Sequence, residues 1–171
     1  LRALMDVGLI DLARKEAEQL FHSRPGGFTL GQETAQGALW MSFLYHSAGY
    51  HLGAFAHGYA ATALDPSQLN SFSLSMIFPS VFEKTYAEAS NATGVNSLLL
   101  LSLTKQESAF LPDAISRSDA LGLMQLLFST AKEVDPSLQD KFSLFDPSTN
   151  VRAGSRYLQK LLERYQGNIA L

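Results

Sequence analysis

The chain has 171 residues, of which 46% are hydrophobic and 17% are charged, so it can bury a sizeable core and does not read as a disordered chain. Its formal net charge of −3 and its lack of a basic block argue against a nucleic-acid partner and against a charged membrane surface. The absence of cysteine excludes disulfides, zinc–thiolate sites and thiol nucleophiles.

The first half of the chain has the pattern of packed helices. Residues 1–21 place apolar side chains at helical spacing, and the sequence SRPGGFT at 23–29 interrupts that pattern. Besides three histidines, residues 34–82 carry one charged side chain, Asp65, among many small and aromatic residues. The sequence HSAGYH at 46–51 predicts the turn of an αα-hairpin, and the aromatic residues such as Trp40 fit helix packing better than sugar stacking.

Three Asp-Pro pairs predict helix starts along the chain. They begin at Asp65, Asp135 and Asp146. An aspartate before a helix accepts hydrogen bonds from free N–H groups, and proline suits the first helical position because it has no N–H there to leave unpaired. No segment reads as a confident β-strand, so we predict an all-α fold.

The longest uninterrupted aliphatic run, Leu98 to Leu101, opens the next predicted helix. This run is far shorter than the roughly 20 residues that a membrane-spanning helix needs, so we expect no membrane span. Asn96 caps the helix, and Glu107 lies seven residues after Leu100 and therefore on the apolar face. Apolar surroundings and the C-terminal end of a helix both disfavour an ionised carboxylate.

A carboxyl group that keeps its proton near neutral pH is what a general acid needs, which makes Glu107 a candidate catalytic residue. The alternative is a solvated or salt-bridged surface glutamate. The sequence GLMQ at 122–125 adds a glycine that allows close backbone approach, an adaptable thioether and an amide that both donates and accepts. The alternative interpretation of GLMQ is a glycine turn before a helix. Together these features indicate a polar ligand with many hydroxyl and amide groups.

The histidines do not indicate a metal site. They lack the i, i+4 spacing of helical zinc ligands, and no H-E-x-x-H sequence is present. We therefore predict neither a metal nor a cofactor. The four residues concerned are His22, His46, His51 and His57.

Four motifs in the second half of the chain occur in a fixed order. ESAF begins at Glu107, Ser116 follows nine residues after that glutamate, GLMQ spans 122–125, and DPSTNVRAGSRYL spans 146–158. In combination they resemble the soluble lytic transglycosylase domain, a lysozyme-like module that acts on bacterial peptidoglycan. The resemblance covers roughly residues 95–171.

The resemblance also implies a domain organisation. The sequence FPSVF at 78–82 is similar to the segment that enters this domain in the long soluble enzymes, which carry a superhelical stack of α-hairpins before it. The implied fold is a lysozyme-like catalytic domain over residues 79–171, preceded by α-hairpins of a superhelical region over residues 1–78. The AYNAG motif of the family is expected beyond Leu171, so the chain is expected to lack one wall of the site.

The activity implied by the resemblance is non-hydrolytic cleavage of the bond between N-acetylmuramic acid and N-acetylglucosamine. Glu107 is then the single acid/base, and the product carries a 1,6-anhydro ring. The implied partner is the glycan strand of peptidoglycan, and the implied location is the periplasm. The implied substrate-binding residues are Ser108, Ser116, Gly122, Met124 and Gln125.

Two alternatives remain open from the sequence. If Asp113 or Asp119 activates a water molecule, the enzyme is a muramidase that hydrolyses the same bond. The other alternative is a degenerate, non-catalytic glycan-binding or scaffold protein built from α-hairpins.

The sequence also departs from the family pattern at Asp119, where a glycine is usual, and at Leu127-Phe128, where Met-Pro is usual.

Overall fold

A computed structural model describes residues 34–168 and eight residues before them. The predicted break at 23–29, His22 and most of the helix predicted over 1–21 lie outside the described residues. Residues 34–168 form seven α-helices and two short 3-10 helices without a β-strand, which confirms the predicted all-α fold. The eight earlier residues are Leu4, Val7, Leu9, Leu12, Ala13, Lys15, Glu16 and Gln19.

The chain divides into two units, Leu1–Ser80 and Val81–Leu171. In the first unit, α1 (Ala35–Ser47) and α2 (His51–Leu64) form a hairpin whose turn lies where the sequence HSAGYH predicts it. A 3-10 helix (Pro66–Gln68) and α3 (Ser71–Ile77) follow.

Small residues bring α1 and α2 close together. Ala38, Ala54 and Ala61 are fully buried in the hairpin. Ser42 is buried between them and donates its Oγ hydrogen to the carbonyl oxygen of Ala54 over 2.7 Å, which satisfies a polar group inside an apolar contact. Trp40 packs edge-on against Phe43 but is itself 60% exposed, so it contributes less to the core than we predicted.

In the second unit, residues 81–168 form four α-helices and one 3-10 helix. These are α4 (Glu83–Thr93), α5 (Ser97–Ser108), α6 (Phe128–Val134), the 3-10 helix Lys141–Phe145 and α7 (Pro147–Arg164). Helix α4 contacts both α5 and α7, and α7 also contacts α6 and the 3-10 helix. The largest fully buried side chains include Tyr86, Leu100, Leu121, Leu123, Leu144 and Val151.

Capping explains where two of these helices begin. The side chain of Asn96 accepts from the N–H of Leu98 over 2.8 Å at the start of α5, as predicted. Asp146 accepts from the N–H of Thr149 over 2.8 Å at the start of α7, and Pro147 takes the first helical position.

The pair Asp135-Pro136 does not start a helix, so that prediction is wrong. Asp135 instead follows the last residue of α6, and its carboxylate accepts from both the N–H and the hydroxyl of Ser137. This local turn competes with a helical backbone, and Arg152 and Arg156 hold the other carboxylate oxygen.

None of the helices in the described part of the chain is both long and apolar enough to cross a lipid bilayer.

Candidate active site

Glu107 lies in the last turn of α5. The helix ends at Ser108 because Ala109 and Phe110 both adopt left-handed backbone angles, with φ of 50° and 63°. This change of direction leaves Glu107 at an exposed helix end, from which a side chain can reach a ligand beside the helix.

The burial of α5 differs from the expectation for Glu107. The residues that α5 buries are Leu100 and Thr104, whereas Leu103 is partly exposed and Glu107 is exposed. The buried line of the helix is therefore rotated away from the edge that carries Leu103 and Glu107. The expectation of a carboxyl group enclosed by apolar side chains is wrong, and Glu107 stands at the solvent-accessible margin of a cleft instead.

This cleft has a volume of about 330 Å³ and is formed by α5, α6, α7 and the segment between Met124 and Leu127. Apolar side chains dominate its walls, and the polar groups are a carboxylate, an amide and two hydroxyls. The lining residues are Leu103, Glu107, Met124, Gln125, Leu126, Leu127, Thr130, Gly154, Tyr157, Leu158 and Leu161.

A tight backbone loop carries Met124 and Gln125 into the cleft. Leu121 and Leu126 exchange two backbone hydrogen bonds of 2.9 and 3.0 Å, which close the loop. Gln125 has a φ of 46°, and its Nε2 donates to the carbonyl oxygen of Gly122 over 3.0 Å. The side chain of Gln125 thus lines the cleft, and its amide nitrogen also stabilises the loop.

Asn150 on α7 holds the same loop through hydrogen bonds of its side chain. Its Oδ1 accepts from the N–H of Met124 over 2.8 Å, and its Nδ2 donates to the carbonyl oxygens of Leu121 and Leu144 over 2.9 and 2.8 Å. Asn150 is fully buried, so these three bonds replace water for its own amide oxygen and nitrogen and for three backbone groups. The loop, α7 and the 3-10 helix are thereby joined through one side chain.

Two glycines allow this close packing. At Gly122, with a φ of +73°, an added Cβ atom would lie 2.3 Å from Nδ2 of Asn150 and 2.3 Å from the carbonyl oxygen of Leu144. At Gly154, a Cβ atom would lie 2.4 Å from Sδ of Met124. Glycine at these positions lets the loop rest directly on α7.

The two predicted serines are not among the lining residues of the cleft. The hydroxyl of Ser108 donates to the carbonyl oxygen of Leu123 over 2.8 Å and ties the end of α5 to the loop. The hydroxyl of Ser116 accepts from the N–H groups of Ser118 and Ala120 over 3.1 and 3.0 Å. The structure thus brings Glu107, Met124 and Gln125 to one cleft, whereas Ser108, Ser116 and Gly122 shape the backbone around it.

The two candidate second carboxylates lie elsewhere. Asp113 is exposed and does not line the cleft. Asp119 accepts two hydrogen bonds from Nζ of Lys141, at 3.1 and 2.9 Å. Among the described residues, Glu107 is therefore the one acidic side chain that lines the cleft, and no three metal-ligating side chains come together there or elsewhere.

Sequence reasoning did not assign a role to the side of the cleft that α7 forms. Gly154, Tyr157, Leu158 and Leu161 recur at the i, i+3, i+4, i+7 spacing of one helical face, which is a signal that the sequence carries. The role of Asn150 has no such signal, because its partners are distant along the chain.

Comparison with known proteins identifies the second unit. The family described as Transglycosylase SLT domain matches residues 84–171. Similar solved structures include an inactive mutant of the lytic transglycosylase Slt from Pseudomonas aeruginosa, with a TM-score of 0.70 and 23% sequence identity over 98% of this chain and 25% of that chain. The 70 kDa soluble lytic transglycosylase of Escherichia coli matches with a TM-score of 0.68 and 22% identity, again over 98% and 25% of the two chains.

A complex of the 70 kDa soluble lytic transglycosylase with bulgecin A is also similar, with a TM-score of 0.69 and 22% identity over 98% of this chain and 25% of that chain. At these identities the three structures show that the fold is shared, and they confirm the predicted lysozyme-like, all-α class. This chain spans about a quarter of the length of each of those chains.

Proposed function

Because this chain belongs to the transglycosylase SLT domain family, we propose that it cleaves the β-1,4 bond between N-acetylmuramic acid and N-acetylglucosamine in peptidoglycan without using water. The observation that carries this proposal is the single carboxylate of Glu107 at the margin of a cleft that also holds Met124 and Gln125. The product is a glycan end that carries a 1,6-anhydro ring.

In the proposed mechanism Glu107 acts first as a general acid. It donates its proton to the glycosidic oxygen as the bond from that oxygen to C1 breaks. The carbonyl oxygen of the substrate's own N-acetyl group attacks C1 and stabilises the positive charge that develops there. Substrate assistance of this kind is a recognised exception to the plan in which glycosidases use two carboxylates.

Glu107 then acts as a general base. Its carboxylate removes the proton from the C6 hydroxyl of the same sugar, and the C6 oxygen attacks C1 and displaces the acetamido oxygen. The 1,6-anhydro ring closes, and Glu107 regains the proton that it lost in the first step. The cycle requires no second carboxylate, no metal and no water molecule as a nucleophile.

The walls of the cleft suit an amino sugar. Leu103, Met124 and Leu158 offer apolar surface to the sugar ring and to the methyl of an acetamido group. We propose that Met124 and Gln125 contact the sugar directly, whereas Ser108, Ser116 and Gly122 act by holding the backbone that presents them. This differs from the direct substrate contacts that the family resemblance implies for the two serines.

We further propose that residues 79–171 are the catalytic domain and residues 1–78 belong to a superhelical region of α-hairpins. The hairpin of α1 and α2 and the division of the chain at Ser80 support this organisation. The proposed partner is the glycan strand of peptidoglycan, which places the protein in the cell-wall compartment and, in our proposal, in the periplasm.

Digestion of purified peptidoglycan tests the activity. We expect the protein to release fragments that are one water molecule lighter than reducing-end products in mass spectra. The variant Glu107→Gln cannot donate or accept the proton and is expected to release none of these fragments, while its circular dichroism spectrum stays unchanged. A matched control is Glu163→Gln, because Glu163 is exposed on α7 outside the cleft. Full activity of Glu107→Gln would overturn the assignment.

A further inference from the structure

A second cavity lies on the side of α7 that faces away from the cleft. It has a volume of about 210 Å³ and lies between α4 and α7. Since successive helical residues are about 100° apart, Arg152 and Arg156 project from α7 roughly opposite to Gly154 and Leu158, which line the cleft. We call this cavity the α4/α7 groove; its lining residues are Thr85, Glu88, Ala89, Ala92, Thr93, Ser148, Arg152, Ser155 and Arg156.

Two guanidinium groups supply the positive charge of the groove. Arg152 and Arg156 both approach the same oxygen of Asp135, at 3.4 and 3.8 Å, and their side chains are 46% and 45% exposed. Each guanidinium has five N–H donors, so one shared carboxylate oxygen at these distances leaves donors that face the groove. The other oxygen of Asp135 accepts from Ser137. The charges of Arg152, Arg156 and Asp135 sum to +1, and the carboxylate of Glu88 in the groove wall offsets that charge.

The remaining lining residues of the groove carry methyl groups, hydroxyl groups and one carboxylate. Ala89 and Ala92 present methyl groups from α4. Glu88 adds a carboxylate whose side chain is 64% exposed. One of its oxygens lies 3.8 Å from Nζ of Lys84, which is a long contact, so the carboxylate can still accept hydrogen bonds from a ligand. The groove is smaller than the roughly 300–1,000 Å³ typical of sites for drug-sized ligands, which limits its occupant to a smaller molecule.

We propose that the α4/α7 groove binds the C-terminal carboxylate of a short peptide with alanine-sized side chains. The carboxylate accepts hydrogen bonds from Arg152 and Arg156, because the planar fork of a guanidinium matches the two oxygens of a carboxylate. The peptide's methyl groups lie against Ala89 and Ala92, and Glu88 accepts from its amino group. This site is separate from the glycan cleft and does not rest on the proposed activity.

Titration of the unmodified protein with alanyl-alanine tests this proposal first. In two-dimensional NMR spectra we expect saturable shifts at Ala89, Ala92 and Ser155, with little change at Met124. The amide of the same dipeptide lacks the carboxylate and is expected to bind about tenfold more weakly. Equal binding of the acid and the amide, shifts at Met124 instead of the groove, or no saturable shifts would overturn the proposal.

Substitutions of the two arginines test which residues bind the dipeptide, and inorganic phosphate tests whether the groove prefers the dipeptide to another anion. Arg152→Gln and Arg156→Gln are each expected to weaken alanyl-alanine binding about tenfold, and Lys160→Gln, one turn further along α7, is the matched control with unchanged binding. Inorganic phosphate is expected to bind more weakly than the dipeptide, since it cannot use the alanine walls or Glu88. Phosphate binding as tight as that of the dipeptide would reduce the groove to a general anion site and overturn the assignment.

Discussion

Gly122 and Gly94 have the same left-handed backbone, with φ of +73° at both, but their surroundings differ. An added Cβ atom at Gly94 meets nothing within 4 Å, whereas at Gly122 it lies 2.3 Å from both Asn150 and Leu144. A Gly→Ala change at either position therefore carries the same local strain of about 1 kcal/mol, and only Gly122→Ala adds a steric clash.

We expect Gly122→Ala to lower the free energy of unfolding by about 3 kcal/mol or more, and Gly94→Ala by about 1 kcal/mol. Urea unfolding followed by circular dichroism measures both. The difference between the two variants separates the clash with Asn150 and Leu144 from the backbone strain, which both variants share. Equal losses would contradict the close packing of the loop on α7.

Asn150 provides the second prediction at the scale of single residues. Asn150→Ala removes three hydrogen bonds and leaves the N–H of Met124 and the carbonyl oxygens of Leu121 and Leu144 without that partner. We expect the free energy of unfolding to fall by about 3 kcal/mol, because the N–H of Met124 and the carbonyl oxygen of Leu144 lose this partner at roughly 1–3 kcal/mol each, whereas the carbonyl oxygen of Leu121 still accepts from the N–H of Leu126. The control Asn91→Ala lies on the exposed side of α4 and is expected to change it by less than about 0.5 kcal/mol.

These two residues also show what sequence can reveal at this scale. Gly122 belongs to a short motif, so its importance can be read from its neighbours in the chain. Asn150 is part of a longer motif, but the motif does not reveal its hydrogen bonds, because its three partners are 6 to 29 positions away along the chain. Its hydrogen bonds follow from the packing of the loop on α7, which no local pattern encodes.

At the scale of secondary-structure elements, the α1–α2 turn carries a pair of histidines, His46 and His51, whose rings are 5.7 Å apart. Burial lowers the pKa of His46. Burial and, to a smaller extent, the charge of His46 lower the pKa of His51. The folded hairpin therefore favours neutral rings, whereas an unfolded histidine titrates near pH 6.5.

We predict that the stability of this hairpin falls as the pH drops below about 6.5. In that range the unfolded chain binds protons that the folded hairpin does not, so the free energy of unfolding decreases until the folded histidines also titrate. Trp40, the one tryptophan of the chain, lies in α1 and reports unfolding by its fluorescence. Urea unfolding at pH 7.5 and 5.5 measures the change.

The double variant His46→Gln/His51→Gln is the control for this pH effect. It removes the two titrating groups, so we expect its stability to depend less on pH than that of the unmodified protein over the same range. The remaining histidines, His22 and His57, are present in both proteins and cannot account for a difference between them. An unchanged dependence would assign the effect to other groups.

The elements themselves were predictable where capping is local and not where tertiary contacts decide. Asn96 and Asp146 begin helices as their sequences indicate, since the capping bonds reach only two or three residues ahead. Asp135 has the same Asp-Pro sequence but ends a helix, because Ser137 and the arginines of α7 hold its carboxylate in a turn. A short capping motif cannot show which distant cations will face it.

At the scale of the whole molecule, the class of fold and the carboxylate of the cleft could be predicted, but the surroundings of that carboxylate could not. Spacing places Glu107 on the same face as Leu100, yet the helix buries Leu100 and Thr104 and leaves Glu107 exposed. Helical periodicity shows which side chains share a face of the helix. The packing of α4 and the loop against α5 decides which of these faces is buried.

The number of carboxylates in the cleft separates the two enzymatic mechanisms. A water-activating base must share the cleft with Glu107, and the described residues place neither Asp113 nor Asp119 there. We therefore expect the double variant Asp113→Asn/Asp119→Asn to release the same anhydro fragments as the unmodified protein, within about twofold in rate. Loss of the bridge from Asp119 to Lys141 is expected to cost at most about 1 kcal/mol of stability, because both side chains are exposed, and asparagine tolerates the left-handed backbone at that position.

Mass spectra of the released fragments decide between the mechanisms, because they distinguish anhydro ends from reducing ends. If the unmodified protein produced reducing ends and the double variant lost that activity, one of the two aspartates would be the base and the enzyme would be a muramidase. If anhydro ends persist in the double variant and vanish in Glu107→Gln, one carboxylate performs both proton transfers. That outcome is the one expected from a cleft in which the second nucleophile is the C6 hydroxyl of the sugar itself.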